Sequence, residues 1–176
     1  MTALIPAWLD GDLVALDKID VHRRGLRHPA VSVFLLDRDH ILLQRRAAGK
    51  YHTPGLWTNT CCTHPHWGEE PQRCALRRLR QELGISAQVL HHAGTVEYRA
   101  EVGGGLTEHE VVEIFVGEGD RQMLVLPDPD EVSQTRWIGL DGLRQEIAAD
   151  PTAFTPWLRI YIADHLDLIL GAGAPR

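Results

Sequence analysis

Residues 31–37, VSVFLLD, are a β-branched and aromatic run, and ILLQRR (41–46) follows it after polar residues around Asp39. Two such runs across a short polar break predict a β-hairpin. Segment 47–69 is rich in Gly, Pro, Thr and His and reads as loop with short extended pieces. At 70–83, EPQRCALRRLRQEL, the period changes: Ala75, Leu79 and Leu83 recur at helical spacing. Pro71 suits the first turn, Glu69 and Glu70 suit the positive end, and Gly84 stops the helix. Strands are predicted over 86–91, 94–100, 106–117 and 133–138, with Gly103-Gly104-Gly105 as a turn. Two helices are predicted over 140–148 and 154–170. This order describes an α/β (α+β) protein with a mixed β-sheet sandwiched between helices. No linker, repeat or low-complexity run divides it, so 1–176 reads as a single domain.

Composition narrows the partners. Lys+Arg number 18 against 24 Asp+Glu, for a net charge of -6. Bulk charge therefore argues against nucleic acid and against an anionic membrane surface, while leaving room for an anionic small molecule in a local field. Lys18 and Lys50 are the chain's only lysines. The three cysteines include an adjacent pair, Cys61-Cys62, and an odd count fits no disulfide framework. That usage, and an N-terminus without a signal-peptide pattern, lead us to expect a cytoplasmic protein. No apolar stretch is long enough to span a bilayer.

Two features carry chemistry. In LTEHEVVEIF (106–115), period-two alternation puts Glu108, Glu110, Val112 and Ile114 on one face and His109 on the other. Two carboxylates on a face that turns apolar are costly unless something neutralises them, and a metal ion would do so. The second feature is the helix with its lead-in, HPHWGEEPQRCALRRLRQELGI. It resembles a Nudix box, with Glu69, Arg77, Leu79, Glu82, Gly84 and Ile85 fitting the pattern. Arg78 and Gln81 stand where a hydrolase would have glutamates, and Thr63 replaces the opening glycine. Most of the carboxylate cluster that holds water-activating metals is therefore missing.

The segments R-R-A-x-x-K (45–50), P-G-L-W-T-N (54–59), W-T-N-T-C-C-T-H-P (57–65) and T-E-H-E (107–110) together resemble type 1 isopentenyl-diphosphate isomerases. That family uses a Nudix fold to isomerise instead of hydrolyse. The resemblance runs from about Lys18 to Trp157. It implies that a proton is added to an alkene, giving a tertiary carbocation, and that another is removed two carbons away. By motif, Cys62 and Glu110 are the acid–base pair, Tyr98 hydrogen-bonds the glutamate, and Trp157 of F-T-P-W offers its indole face to the cation. Lys18, Arg46, Lys50 and Arg78 are the implied diphosphate contacts. His22, His28, His64, Glu108 and Glu110 are the implied ligands of Mn, Zn or Mg, and Glu82 of a Mg that accompanies the diphosphate. The spacing of His22 to His28 is one residue shorter than the family's. Cys61 reads as structural, His40, His52, His91, His92 and His165 as background, and His66 as undecided.

The expected partner is thus isopentenyl or dimethylallyl diphosphate, with no nucleic acid and no membrane, and the expected state is a monomer or weak homodimer. A pyrophosphohydrolase of a nucleotide or prenyl diphosphate is the alternative enzyme. A non-catalytic Nudix-like binding module is the alternative from outside enzymology.

Overall fold

The structure is a computed structural model that describes residues 3–86 and 88–173. It opens with a hairpin of β1 (Leu4–Leu9) and β2 (Asp12–Asp17), absent from the expectations above although Asp10-Gly11 between two apolar runs is a hairpin signal. Next comes a short helix, α1 (Lys18–Arg24). The Asp17 carboxylate caps it by accepting from the Ile19 and Asp20 amides at 2.9 and 3.0 Å. Gly25, at φ +58°, ends it in a left-handed turn that favours glycine.

The predicted hairpin follows as β3 (Arg27–Asp37) and β4 (His40–Arg46), paired through Leu36 and Ile41. Within 47–69 the short extended pieces are β5 (Trp57–Thr58) and β6 (Cys61–Thr63). Helix α2 (Pro71–Leu83) starts at its proline and stops at Gly84, as expected. The two strands predicted over 86–91 and 94–100 are one strand, β7 (Leu90–Gly103), with a register irregularity between His92 and Gly94. Residue 87 lies outside the described residues. Gly104 and Gly105, at φ +63° and +73°, turn β7 into β8 (Leu106–Glu118). Then come β9 (Val132–Gly139) and α3 (Leu140–Ala149). The single helix predicted over 154–170 divides into α4 (Pro156–Asp164) and α5 (Leu166–Gly173). His165 leaves helical geometry at φ -129°, ψ 13°, and no Gly or Pro advertises the break.

The main sheet has the order β5-β4-β3-β8-β7, with β6 on β3 and β9 on β4. Its centre is the parallel pair β3–β8, and β7–β8 and β4–β9 are antiparallel. Strand β3 alternates cleanly. Val31, Val33 and Leu35 face α2 with Cys74, Ala75, Leu79 and Leu83. Ala30, Phe34 and Leu36 face α4 and α5 with Trp157, Leu158, Tyr161 and Ile169. The sheet is therefore a mixed layer between helices. A smaller cluster of Ile5, Ala7 and Val21 seats the N-terminal hairpin on α1. Among the described residues, no helix is long and apolar enough to cross a membrane.

Arg77 grips Glu69 bidentately, at 2.6 and 2.7 Å. Arg77 thereby holds the Glu69 carboxyl down at about 2. A depressed folded-state value makes this contribution complete above the unfolded carboxyl's range and lost as pH falls through it. Glu69→Gln should therefore lower the urea midpoint at neutral pH, and the gap to wild type should close as pH falls from 4.5 toward 2. A gap that stays constant with pH would show that the pair does not stabilise the fold.

Candidate active site

The site is built on the face of β3 that looks toward α4 and α5. Even-numbered β3 residues point there, so His28 and Ser32 interrupt an otherwise apolar row that includes Ala30 and Phe34. Strand register does the rest. His28 lies beside Glu110 of β8, Ser32 beside Cys62 of β6, and Tyr98 of β7 beside Glu110. The adjacent cysteines part by the same alternation. Cys61 turns toward α2, its sulfur 3.5 Å from Glu82, while Cys62 turns toward the chamber.

His22 and His28 are both fully buried, with ring centroids 4.8 Å apart. The tight turn at Gly25 carries the chain between them and accommodates the short spacing. Each ring's Nδ1 meets a backbone carbonyl, Lys18 O at 2.6 Å and Leu26 O at 2.7 Å. A carbonyl can only accept, so each Nδ1 carries the proton and each Nε2 presents a lone pair. His28 Nε2 lies 3.2 Å from His64 Nε2, which is 2.9 Å from Glu110 Oε1. His64 Nδ1 is buried without a partner. Burial holds His22 down at about 4 and His64 well below the usual imidazole range, so both are neutral at pH 7. Imidazoles with inward lone pairs, anchored from behind by carbonyls, form a donor set that suits a divalent cation. His22, His28, His64 and Glu110 converge as one group, and His22, His52 and Glu108 converge as another.

Glu108 and Glu110 share the Tyr98 hydroxyl, at 2.8 Å from each. One hydroxyl proton cannot serve two carboxylates, so one of the acids carries a proton of its own. Burial and the nearby Glu110 push Glu108 far above the carboxylate range. Burial acts on Glu110 in the same direction, but its hydrogen bonds, among them one from His64 Nε2 at 2.9 Å, outweigh it and hold the carboxyl well below that range. Glu108 therefore donates to Tyr98, which donates to an ionised Glu110.

Cys62 has its own ledger. Asn59 spends both amide hydrogens on Val33 O and Cys61 O, each at 3.0 Å, which aims Oδ1 at the thiol 2.9 Å away. The thiol hydrogen goes to Asn59, so Ser32 Oγ, at 3.0 Å, must donate to the sulfur. Tyr161 OH, at 2.9 Å, then donates to Ser32. Burial pushes the Cys62 thiol up to about 12, so it is protonated at neutral pH. Trp157 is anchored by donating from Nε1 to Thr58 Oγ1 at 2.7 Å, and Thr58 in turn donates to Asn59.

Lys18, Arg46, Lys50 and Arg78 all line the inner chamber with Cys62, Tyr98, Glu108, Glu110 and Trp157. A cleft of about 380 Å³ shares Lys18, Lys50 and Arg78 with the chamber as lining. Burial and the three neighbouring cations lower Lys18 to about 8. Arg46 Nε and Arg78 Nε are buried without partners. Unspent donors and crowded cations are what an anion would relieve. Glu131 takes part of that charge, pairing with Lys50 and, at 3.2 Å, with Arg78. Glu82 lies apart from the histidines. It pairs with Arg78 and accepts from Gln44 at 2.8 Å.

Sequence reasoning missed His52, Asn59, Ser32, Tyr161 and Glu131. Ser32 had a usable signal, a hydroxyl in an apolar strand. Asn59 sits inside a quoted motif. His52 had none, because it lies in a loop where periodicity says nothing, yet it is buried beside Glu108. His109, by contrast, faces away as expected and meets Glu97.

A helix-flanked mixed sheet carrying a Nudix-type helix defines the class, and the NUDIX domain family matches residues 26–158. The fold is shared with a Deinococcus radiodurans protein, at TM-score 0.71 and 16% identity over 90% of this chain and 96% of that one. A MutT NUDIX hydrolase from Burkholderia pseudomallei shares it at TM-score 0.61 and 21% identity, over 79% and 98%. Sequence relatives are more specific. An isopentenyl-diphosphate Delta-isomerase of Cereibacter sphaeroides is 58% identical over 171 residues, 97% of each chain. One from Roseobacter denitrificans is 55% identical over the same shares. The chain belongs to the Nudix family and, within it, to the isopentenyl-diphosphate Delta-isomerases.

The shared hydroxyl gives a direct test of this arrangement. Tyr98→Phe keeps the ring but strands two buried carboxylates, at a cost of about 1–3 kcal/mol. Urea denaturation should show that loss, and an unchanged midpoint would mean the carboxylates do not depend on Tyr98.

Proposed function

We propose that this chain interconverts isopentenyl and dimethylallyl diphosphate, an allylic isomerisation that supplies isoprenoid synthesis. The observation that carries the reading is that a thiol, Cys62, and a carboxylate, Glu110, line one chamber together with Lys18, Arg46, Lys50 and Arg78. A hydrolase reading lacks two of its carboxylates, at Arg78 and Gln81. Arg78 is ion-paired to Glu82, and Gln81 is a neutral amide that accepts from Arg77 and Arg78.

Isomerisation moves a double bond by adding one proton and removing another. Cys62 starts with a hydrogen to give and Glu110 starts as a base, and the two exchange roles when the reaction runs backward. As Cys62 gives up its proton, the Ser32 hydroxyl, backed by Tyr161, already points at the sulfur to stabilise the thiolate. Tyr98 holds Glu110 in place. Trp157 presents its indole to the tertiary cation, an attraction worth about 2 kcal/mol or more when desolvated. Lys18, Arg46, Lys50 and Arg78 bind the diphosphate, with Arg78 turning from Glu82 to a phosphate oxygen. Glu82, released from Arg78, would hold a magnesium ion, which would supply positive charge to the diphosphate.

His22, His28, His64, Glu108 and Glu110 would hold a divalent ion, Mn, Zn or Mg. When bound, it supplies fixed positive charge that keeps Glu110 ionised. All the residues named lie on one chain, so a monomer contains a complete site and a weak homodimer would add nothing to it. The cysteines are free thiols, the state that a reducing cytoplasm maintains.

Incubation with isopentenyl diphosphate and Mg in deuterated water tests the reading. NMR should show dimethylallyl diphosphate carrying deuterium, without phosphate release. Phosphate release without isomer would sink the proposal in favour of hydrolysis. Cys62→Ala and Glu110→Gln should each abolish isomer formation while circular dichroism shows the fold retained. Chelator treatment should lower the melting temperature, and Mn or Zn at 100 times its Kd should restore about 2.7 kcal/mol. Melting that ignores both treatments would remove the metal from the reading.

A further inference from the structure

We propose that His52 is a fourth imidazole of the metal centre. This rests on the metal centre proposed above and adds to it a ligand from the loop between β4 and β5. The His52 side chain is buried, at 3% relative exposure. Its Nδ1 meets Thr53 Oγ1 at 3.0 Å. Its Nε2 is buried, has no hydrogen-bond partner, and points at Glu108 Oε1 from 3.3 Å. A hydrogen bond would satisfy both groups, but the alignment is not that of one. Two donors bound side by side to one ion, each at about 2.1 Å, stand about 3 Å apart. The His52–Glu108 separation has that value, as do His64–Glu110 at 2.9 Å and His28–His64 at 3.2 Å.

The two convergent groups share His22. His22 spends Nδ1 on the Lys18 carbonyl, so it has one lone pair and serves one ion. His22 can therefore belong to one centre only, and a single centre that draws on both groups needs His52 and Glu108 to close in toward His28, His64 and Glu110. Glu108 joins them, and when it turns to the ion, His52 lies beside it in ligating position. A fourth imidazole should tilt the centre toward Zn and Co and away from Mg, which prefers oxygen.

The test uses Co(II) alone as the probe, added to the whole chain, with hyperfine-shifted proton NMR. Each ligated ring gives one shifted set. Wild type should show four imidazoles, and His52→Ala should show three, with Co(II) affinity by calorimetry down about tenfold or more. Mg affinity should hardly move. Three imidazoles in wild type, or an affinity unchanged by the substitution, would overturn the assignment and reduce His52 to a neighbour of Glu108. His52→Asn serves as the second variant, and the wild-type count decides alone if neither variant folds. Absence of any Co(II) binding would overturn the metal centre itself, and this ligand with it.

Discussion

Everything near the site answers to one cost, that of burying carboxylates and imidazoles on a sheet face otherwise filled by Phe34, Val112 and Ile114. An isolated buried charge is expensive, so each polar atom there must find a proton, a hydrogen bond or a counter-charge. The Tyr98 hydroxyl bridges the two glutamates, accepting from Glu108 and donating to Glu110. Backbone carbonyls of Lys18 and Leu26 set the tautomers of His22 and His28. What remains unspent, notably at His52 and His64, is where the protein's own groups run out and a cation suits the remainder.

The same cost explains the geometry around Cys62. A thiol beside Glu110 would drift among partners if its surroundings were loose. Instead Asn59 is locked by two backbone carbonyls and offers only an acceptor, while Ser32 offers only a donor. The thiol's hydrogen therefore has one direction to point before substrate arrives. Preorganisation of this kind places the reorganisation cost in folding instead of in the reaction.

The Nudix helix has been put to different use. Its apolar side still packs α2 on the sheet, and its Glu69–Arg77 pair still closes the first turns. Its chemical side has changed sign. Arg78 and Gln81 replace carboxylates, and the helix now presents a cation to the cleft, partly balanced by Glu82 and Glu131. That local balance reconciles a net charge of -6 with a polyanionic substrate.

The sequence by itself determined the elements whose signals are local. Apolar, β-branched runs placed β3 and β4, and alternation separated Glu108 and Glu110 from His109 on β8. Helical spacing with Pro71 and Gly84 bounded α2. Motifs picked Cys62 over Cys61, and the structure turns the two toward opposite faces as β6 pairs with β3. The N-terminal hairpin was legible and passed over, because its apolar runs at 4–9 and 13–16 flank Asp10-Gly11, a hairpin turn signal. The break at His165 was not legible, since no Gly or Pro marks it. Tertiary structure alone decided the register that sets His28 beside Glu110 and Ser32 beside Cys62. It also decided that His52 is buried. A loop residue carries no periodic signal, and its environment exists only once distant segments close around it.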